Sequence, residues 1–199
     1  MVRTYRNVVI MIAALVFGAC AMTGASNDGM PQQKSGTREE GKTGTQMNAQ
    51  QGSPEARLLG FLNHANKGDL EGGRLAQERG NSLAVKTYGR QMEADHMQML
   101  QESEGTAMRL GVLPVMGPET QQLVKEHERA MQKLQASSGK DFDQSYLSHE
   151  IEMHKQVLKT VGSFAEQIRD PQLTQMIAGA RPILEAHLKA AQRLMAEQQ

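Results

Sequence analysis

Five residues carry the strongest chemical signal in this chain: Asp69, His96, Glu150, His154 and His187. On helical wheels at about 100° per residue, all but one sit within the apolar stripe of their segment. Asp69 lies at the centre of Leu58, Leu62, Ala65, Gly72 and Ala76. His96 lies among Val85, Tyr88, Met92, Met99 and Leu110. Glu150 and His154, one turn apart, fall in the middle of Leu147, Val157, Leu158, Val161, Ala165 and Ile168. His187 is on the edge of Leu173, Ile177, Ala180, Leu184, Leu188 and Ala191. His64, Glu71 and His149 point away from these stripes, and His127 sits among Leu123, Val124, Met131 and Leu134.

The heights agree as well. His96 lies about 24 Å past the turn before it, and His154 and His187 lie about as far from the turn between them. A buried charge costs several kcal/mol unless it is paired. Such a cluster is therefore either a hydrogen-bonded network that fixes helix register or a site for one metal ion, since imidazole and carboxylate suit Zn, Fe, Mn or Cu. A dinuclear carboxylate site needs Glu-x-x-His on two helices. Glu93-x-x-His96 supplies one, but Glu150 precedes His154 by four residues, and the last helix has none. Met92, His96 and Met99 share a face, and Met97, Met153, Met176 and Met195 add sulfur elsewhere. Thioether with imidazole suits Cu(I), although a methionine stripe is ordinary packing material. No Ser-His-Asp or Cys-His arrangement and no phosphate-binding glycine loop is present, which argues against a hydrolase.

The elements that must position these groups are helices. Met, Ala, Leu, Gln and Glu are plentiful, tryptophan is absent, and no β-branched run is long enough for a sheet. Helix 1 is expected over about 55–78, ending near Gly80. Asn81 or Ser82 caps helix 2, which runs to about Leu110 and stops at Gly111. After the turn Leu113-Pro114-Val115-Met116-Gly117-Pro118, helix 3 covers about 119–136 and Ser138-Gly139 breaks it. Asp141 or Asp143 caps helix 4, which extends to about Ile168. Asp170-Pro171 starts helix 5, with a kink expected at Pro182. Two hairpins of long helices, joined by a connection holding a short helix, describe a ferritin-like antiparallel four-helix bundle over residues 54–199.

The N-terminal region has a different character. Arg3 and Arg6 precede the apolar run from Val8 to Ala19, which is shorter than the about 20 residues needed to cross a bilayer and has the form of a secretory signal over residues 1–19. Phe17-Gly18-Ala19-Cys20 resembles the lipobox of bacterial lipoproteins, and Cys20 is the sole cysteine. Lipidation of Cys20 would anchor the chain stably, since two acyl chains suffice. Ala21 resembles a signal for the outer membrane. Residues 21–53 are rich in Gly, Ser, Asn and Gln and read as a linker reaching about 30 Å. Basic and acidic side chains number 22 each, so no electrostatic footprint for nucleic acid exists.

Asp95-His96, Phe142-Asp143, Tyr146-Leu147, His154, Pro182 and His187-Leu188 resemble a bacterial family, domain of unknown function 4142, placed in the ferritin-like superfamily. Asp69-Leu70-Glu71-Gly72-Gly73-Arg74-Leu75-Ala76 resembles its first helix, and the segment Val85 to Met92 followed by Asp95-His96 is the most specific part. The resemblance covers about 56–195. It implies the bundle, an envelope location and the importance of His96, His154 and His187, but no activity. The sequence thus describes an envelope lipoprotein facing the periplasm, a binding or stress-related module whose cluster is structural or holds a single metal ion. A ferritin-like metal-dependent oxidase is the enzymatic alternative.

Overall fold

The computed structural model describes residues 52–198. Cys20, the signal segment and nearly all of the linker lie outside them. Five helices follow one another: α1 (Pro54–Arg79), α2 (Leu83–Leu110), α3 (Pro118–Ala136), α4 (Gly139–Ala165) and α5 (Pro171–Ala196). There is no strand among the described residues, and none of their helices is long and apolar enough to cross a membrane.

Local chemistry sets the boundaries. Pro54 and Pro171 occupy first-turn positions, where a missing N–H loses nothing. Ser53 accepts from the Ala56 N–H at 3.2 Å, and Ser82 from the Val85 N–H at 3.2 Å. Asp170 accepts from the N–H groups of Gln172 and Leu173. Gly111 ends α2 at φ +62°, a left-handed conformation that costs glycine little. α5 runs through Pro182 without a break in its helical span.

Two expectations need correction. α4 ends at Ala165, three residues short of Ile168, in a turn where the N–H groups of Gln167 and Ile168 both reach the Phe164 carbonyl. Neither Asp141 nor Asp143 caps α4, whose cap position is Ser138. Buried Asp143 instead accepts from the N–H groups of Asn81 (2.7 Å) and Ser82 (2.8 Å), so a residue of α4 ties down the start of α2.

The contacts at the helix ends define the topology. The Val115 N–H donates to the Ala56 carbonyl, and Arg109 donates to Gln172, so the start of α1, the end of α2 and the start of α5 share one end. Arg79 donates to the carbonyls of Gln135 and Ser137, placing the end of α3 beside the end of α1. α3 therefore runs the length of the bundle and returns the chain to the opposite end, where α4 begins. This is a four-helix bundle of two antiparallel hairpins with one long crossover.

α1 and α2 approach closely at Gly73 and Gly89: a Cβ on either would stand 2.7 Å from the other's carbonyl oxygen. The apolar interior forms two clusters. One joins Phe61, Met99, Leu123, Val157, Phe164, Leu173 and Leu184 with their neighbours near the α2–α3 end. The other joins Ala76, Val85, Met92, Leu134, Phe142, Tyr146 and Leu194 towards the α1–α2 turn. In sequence position along their helices, Asn66, Asp69, His96, Glu150 and His187 lie between the two clusters, and His154 lies next to Met153 of the first.

Candidate metal centre

Asp69, His96, Glu150, His154 and His187 are all at most 1 % exposed, and each sits near the middle of its helix. Two sets come together. His96, His154 and His187 each offer one nitrogen within 4.8 Å of the others, and so do Asp69, Glu150 and His154 with one ligand atom each. The three imidazole centroids form a near-equilateral triangle of 5.5, 5.3 and 5.3 Å. His187, expected on the edge of its stripe, is fully buried, and Leu188 is the half-buried neighbour.

The hydrogen bonds fix the tautomers. His154 Nδ1–H donates to the Glu150 backbone carbonyl at 2.9 Å, an acceptor that leaves the ring nitrogen no other role. His187 Nε2–H donates to Asp95 Oδ2 at 2.9 Å. His96 Nδ1–H donates to Asn66 Oδ1 at 2.9 Å, with Asp69 Oδ2 a second acceptor at 3.4 Å. Burial pushes all three imidazoles below their ordinary pKa, His154 to about 3, and the neighbouring imidazoles push His96 and His154 the same way; Asp95 opposes the shift at His187. Each ring is then neutral at neutral pH and carries one proton.

Those protons all point outward from the triangle. His96 Nε2, His154 Nε2 and His187 Nδ1 are left as lone-pair nitrogens. His154 Nε2 and His187 Nδ1 face each other at 3.3 Å with no proton between them, and His96 Nε2 has no hydrogen-bond partner. In a tetrahedral centre with metal–nitrogen bonds of about 2.0–2.1 Å, adjacent ligand nitrogens stand about 3.3–3.4 Å apart. The separation suits two ligands of one ion. Asn66, the Glu150 carbonyl and Asp95 are the kind of outer partners that orient ligating imidazoles.

The carboxyl pair is equally unsatisfied. Asp69 Oδ1 and both Glu150 oxygens lack hydrogen-bond partners, as does the Tyr146 hydroxyl. Asp69 and Glu150 lie side by side, close enough for a proton held by one carboxyl to be shared with the other. Burial raises both, Asp69 to about 8 and Glu150 well above the carboxylate range, and the proximity of Asp69 adds to the shift at Glu150. Burial first, then Glu150 and Asp69, raise Tyr146 and Tyr88. Gly72 faces this pair: a Cβ there would stand in ordinary contact with Glu150 Oε1 at 3.4 Å. The Tyr88 hydroxyl donates to the His187 carbonyl at 3.2 Å and steadies α5.

Asn66 and Asp95 were not picked out from sequence as outer partners. Asn66 lies three residues before Asp69 on the same face, a spacing that could have drawn attention to it. His149, expected to face out, is half-buried, and its Nε2 lies 3.1 Å from His127 Nδ1 on α3. Burial and His127 lower His149 to about 4.

Neither a curated protein nor a solved structure matches the chain. Residues 40–194 match the model of a family described as Domain of unknown function (DUF4142). The match takes in all five helices apart from the last residues of α5, and the chain belongs to that family.

Proposed function

We propose that the bundle is a metal-binding module that holds one transition-metal ion on His96, His154 and His187. Asp69 and Glu150, protonated in the metal-free protein, would release protons as a cation binds and so supply the negative charge it needs in so dry a site. The observation that carries this reading is the 3.3 Å approach of two lone-pair nitrogens, each with its proton tied to an outer acceptor. A network serving register alone would place a proton between them, because buried polar groups are ordinarily paired. The ferritin-like arrangement expected from sequence suits such a centre, as bundles of that class build metal sites from facing helices.

The test is elemental analysis of the full chain purified from its own host without added metal. The expected result is a bound transition metal that does not exceed one equivalent and is lost in His154→Ala. His64→Ala should retain it, because His64 Nδ1 bonds the Gly60 carbonyl on its own helix. Metal-free protein that also fails to take up Zn(II) or Cu(I) on addition would refute the reading. We further propose that the module is an envelope lipoprotein anchored through Cys20 and facing the periplasm, at the outer membrane. Cys20→Ser should abolish incorporation of labelled palmitate, and unchanged labelling would overturn the anchor.

A further inference from the structure

A small cavity opens beside His96, one of the three histidines. It has about 20 Å³ of room for the centre of a water-sized sphere, enough for one small occupant. Asp69 and His96, both 1 % exposed, form part of its wall. Its outer rim is the exposed Glu102 of α2 and the half-buried Ala180 of α5. Met99 and Met176, at 8 % and 6 % exposure, lie between these extremes of burial. The open grooves elsewhere on the bundle touch none of His96, His154 and His187.

The two methionines come from different helices and border the same void. A methionine that serves only to pack fills an irregular gap, but here the gap persists beside both. Thioethers are soft ligands that favour Cu(I) over Zn(II), and imidazole accepts either ion. A carboxylate at the rim, thioethers within and an imidazole at the inner wall make a graded series of ligands for a cation moving inward.

We propose that this cavity is the loading path of the metal centre and that Met99 and Met176 make it a path for Cu(I). The inference rests on the three-histidine reading above. The ion exchanges ligands along the path and changes no oxidation state.

The test follows loading of the full chain without oxygen, from a Cu(I)–chelator complex and, separately, from Zn(II) with an indicator. Met99→Leu with Met176→Leu nearly conserves volume. The pair should reach wild-type Cu(I) occupancy about tenfold more slowly, equivalent to about 1.4 kcal/mol of barrier, with Zn(II) loading unchanged. Ala180→Phe, which narrows the rim, should slow both ions. His96→Ala should lower the end point rather than the rate alone. Cu(I) loading at the wild-type rate in the double variant, or equal slowing of Zn(II), overturns the thioether path. Unchanged rates in Ala180→Phe place the path elsewhere. These failures appear in rates at an unchanged end point, whereas a wild type that loads neither ion overturns the centre itself.

Discussion

Asp95→Ala separates the metal reading from a structural one, because the two states of the protein should respond in different ways. Asp95 is 38 % exposed and holds the His187 Nε2 proton at 2.9 Å. Without that acceptor the proton is free to move to Nδ1, where His154 Nε2 waits at 3.3 Å. The metal-free protein loses one hydrogen bond and gains another between buried rings. Each is worth about 0.5–1.5 kcal/mol net, so its stability should shift by less than about 1 kcal/mol. Metal binding needs the opposite tautomer, and loss of an orienting partner lowers metal affinity about 10–100-fold. At free metal a hundredfold above the wild-type dissociation constant, wild type gains about 2.7 kcal/mol. The variant, at about ten- to onefold, gains about 1.4 to 0.4 kcal/mol. At about 3 °C per kcal/mol, the metal-induced rise in Tm should be about 8 °C in wild type and about 1–4 °C in Asp95→Ala. Asp95→Asn keeps an oxygen acceptor and should fall between them. Scanning calorimetry with and without Zn(II) reads all of these. A variant that loses more than about 2 kcal/mol without metal, yet shows the full metal-induced rise, would refute the tautomer assignment.

The pH dependence of the metal-free protein follows from the same groups. His96, His154 and His187 are depressed, so below about pH 6.5 the unfolded chain binds protons that the native state refuses, and stability falls on acidification. Asp69 and Glu150 are raised, so the native state keeps protons that the unfolded chain releases above about pH 4, and stability falls as pH rises towards 8. With His149, lowered to about 4, four imidazoles outweigh two carboxyls at about pH 5 and fade above about pH 7, which places the maximum at about pH 6.5; urea titrations showing a steady gain from about pH 6.5 to 8 would contradict this. Asp143→Ala frees the N–H groups of Asn81 and Ser82 and should cost about 2–3 kcal/mol in urea unfolding. Gly73→Ala forces a methyl against the Gly89 carbonyl and should cost about 1–3 kcal/mol. Gly179→Ala meets open space and should stabilise α5 by up to about 1 kcal/mol.

The helices were legible because their punctuation is local: Ser82, Gly111, Pro118 and Asp170-Pro171 act within one turn of where they stand. Asp69, His96, Glu150 and His154 fell on buried faces because an apolar stripe averages over many turns. The misplacements have a common cause. A wheel assigns one inner face to each helix, but α4 has a second neighbour in α3, so His149 turned towards His127. Asp143 looked like a cap for its own helix, and only the packing of α4 against the α1–α2 turn shows which N–H groups it serves. The outer partners Asn66 and Asp95 depend on how far a side chain reaches across a helix interface. The tautomers depend on those partners in turn, and neither is written in periodicity.

The polar layer between the two apolar clusters also bears on how the bundle opens. Each cluster is built on half-helices, and helical segments shorter than about 12–15 residues are marginal alone. The half near the α1–α2 turn gathers the ends of α1, α3 and α5 with the starts of α2 and α4. Between the halves only a few hydrogen bonds, such as His96 to Asn66 and His187 to Asp95, join the helices, and other buried polar atoms there have no partner, so the metal-free layer couples the halves less tightly than apolar packing does. Sub-global opening then has its own free energy below that of complete unfolding. An ion held by α2, α4 and α5 at that boundary would join the two halves into one unit. Occupancy would be visible in amide exchange as lost partial openings, even where the average coordinates scarcely move.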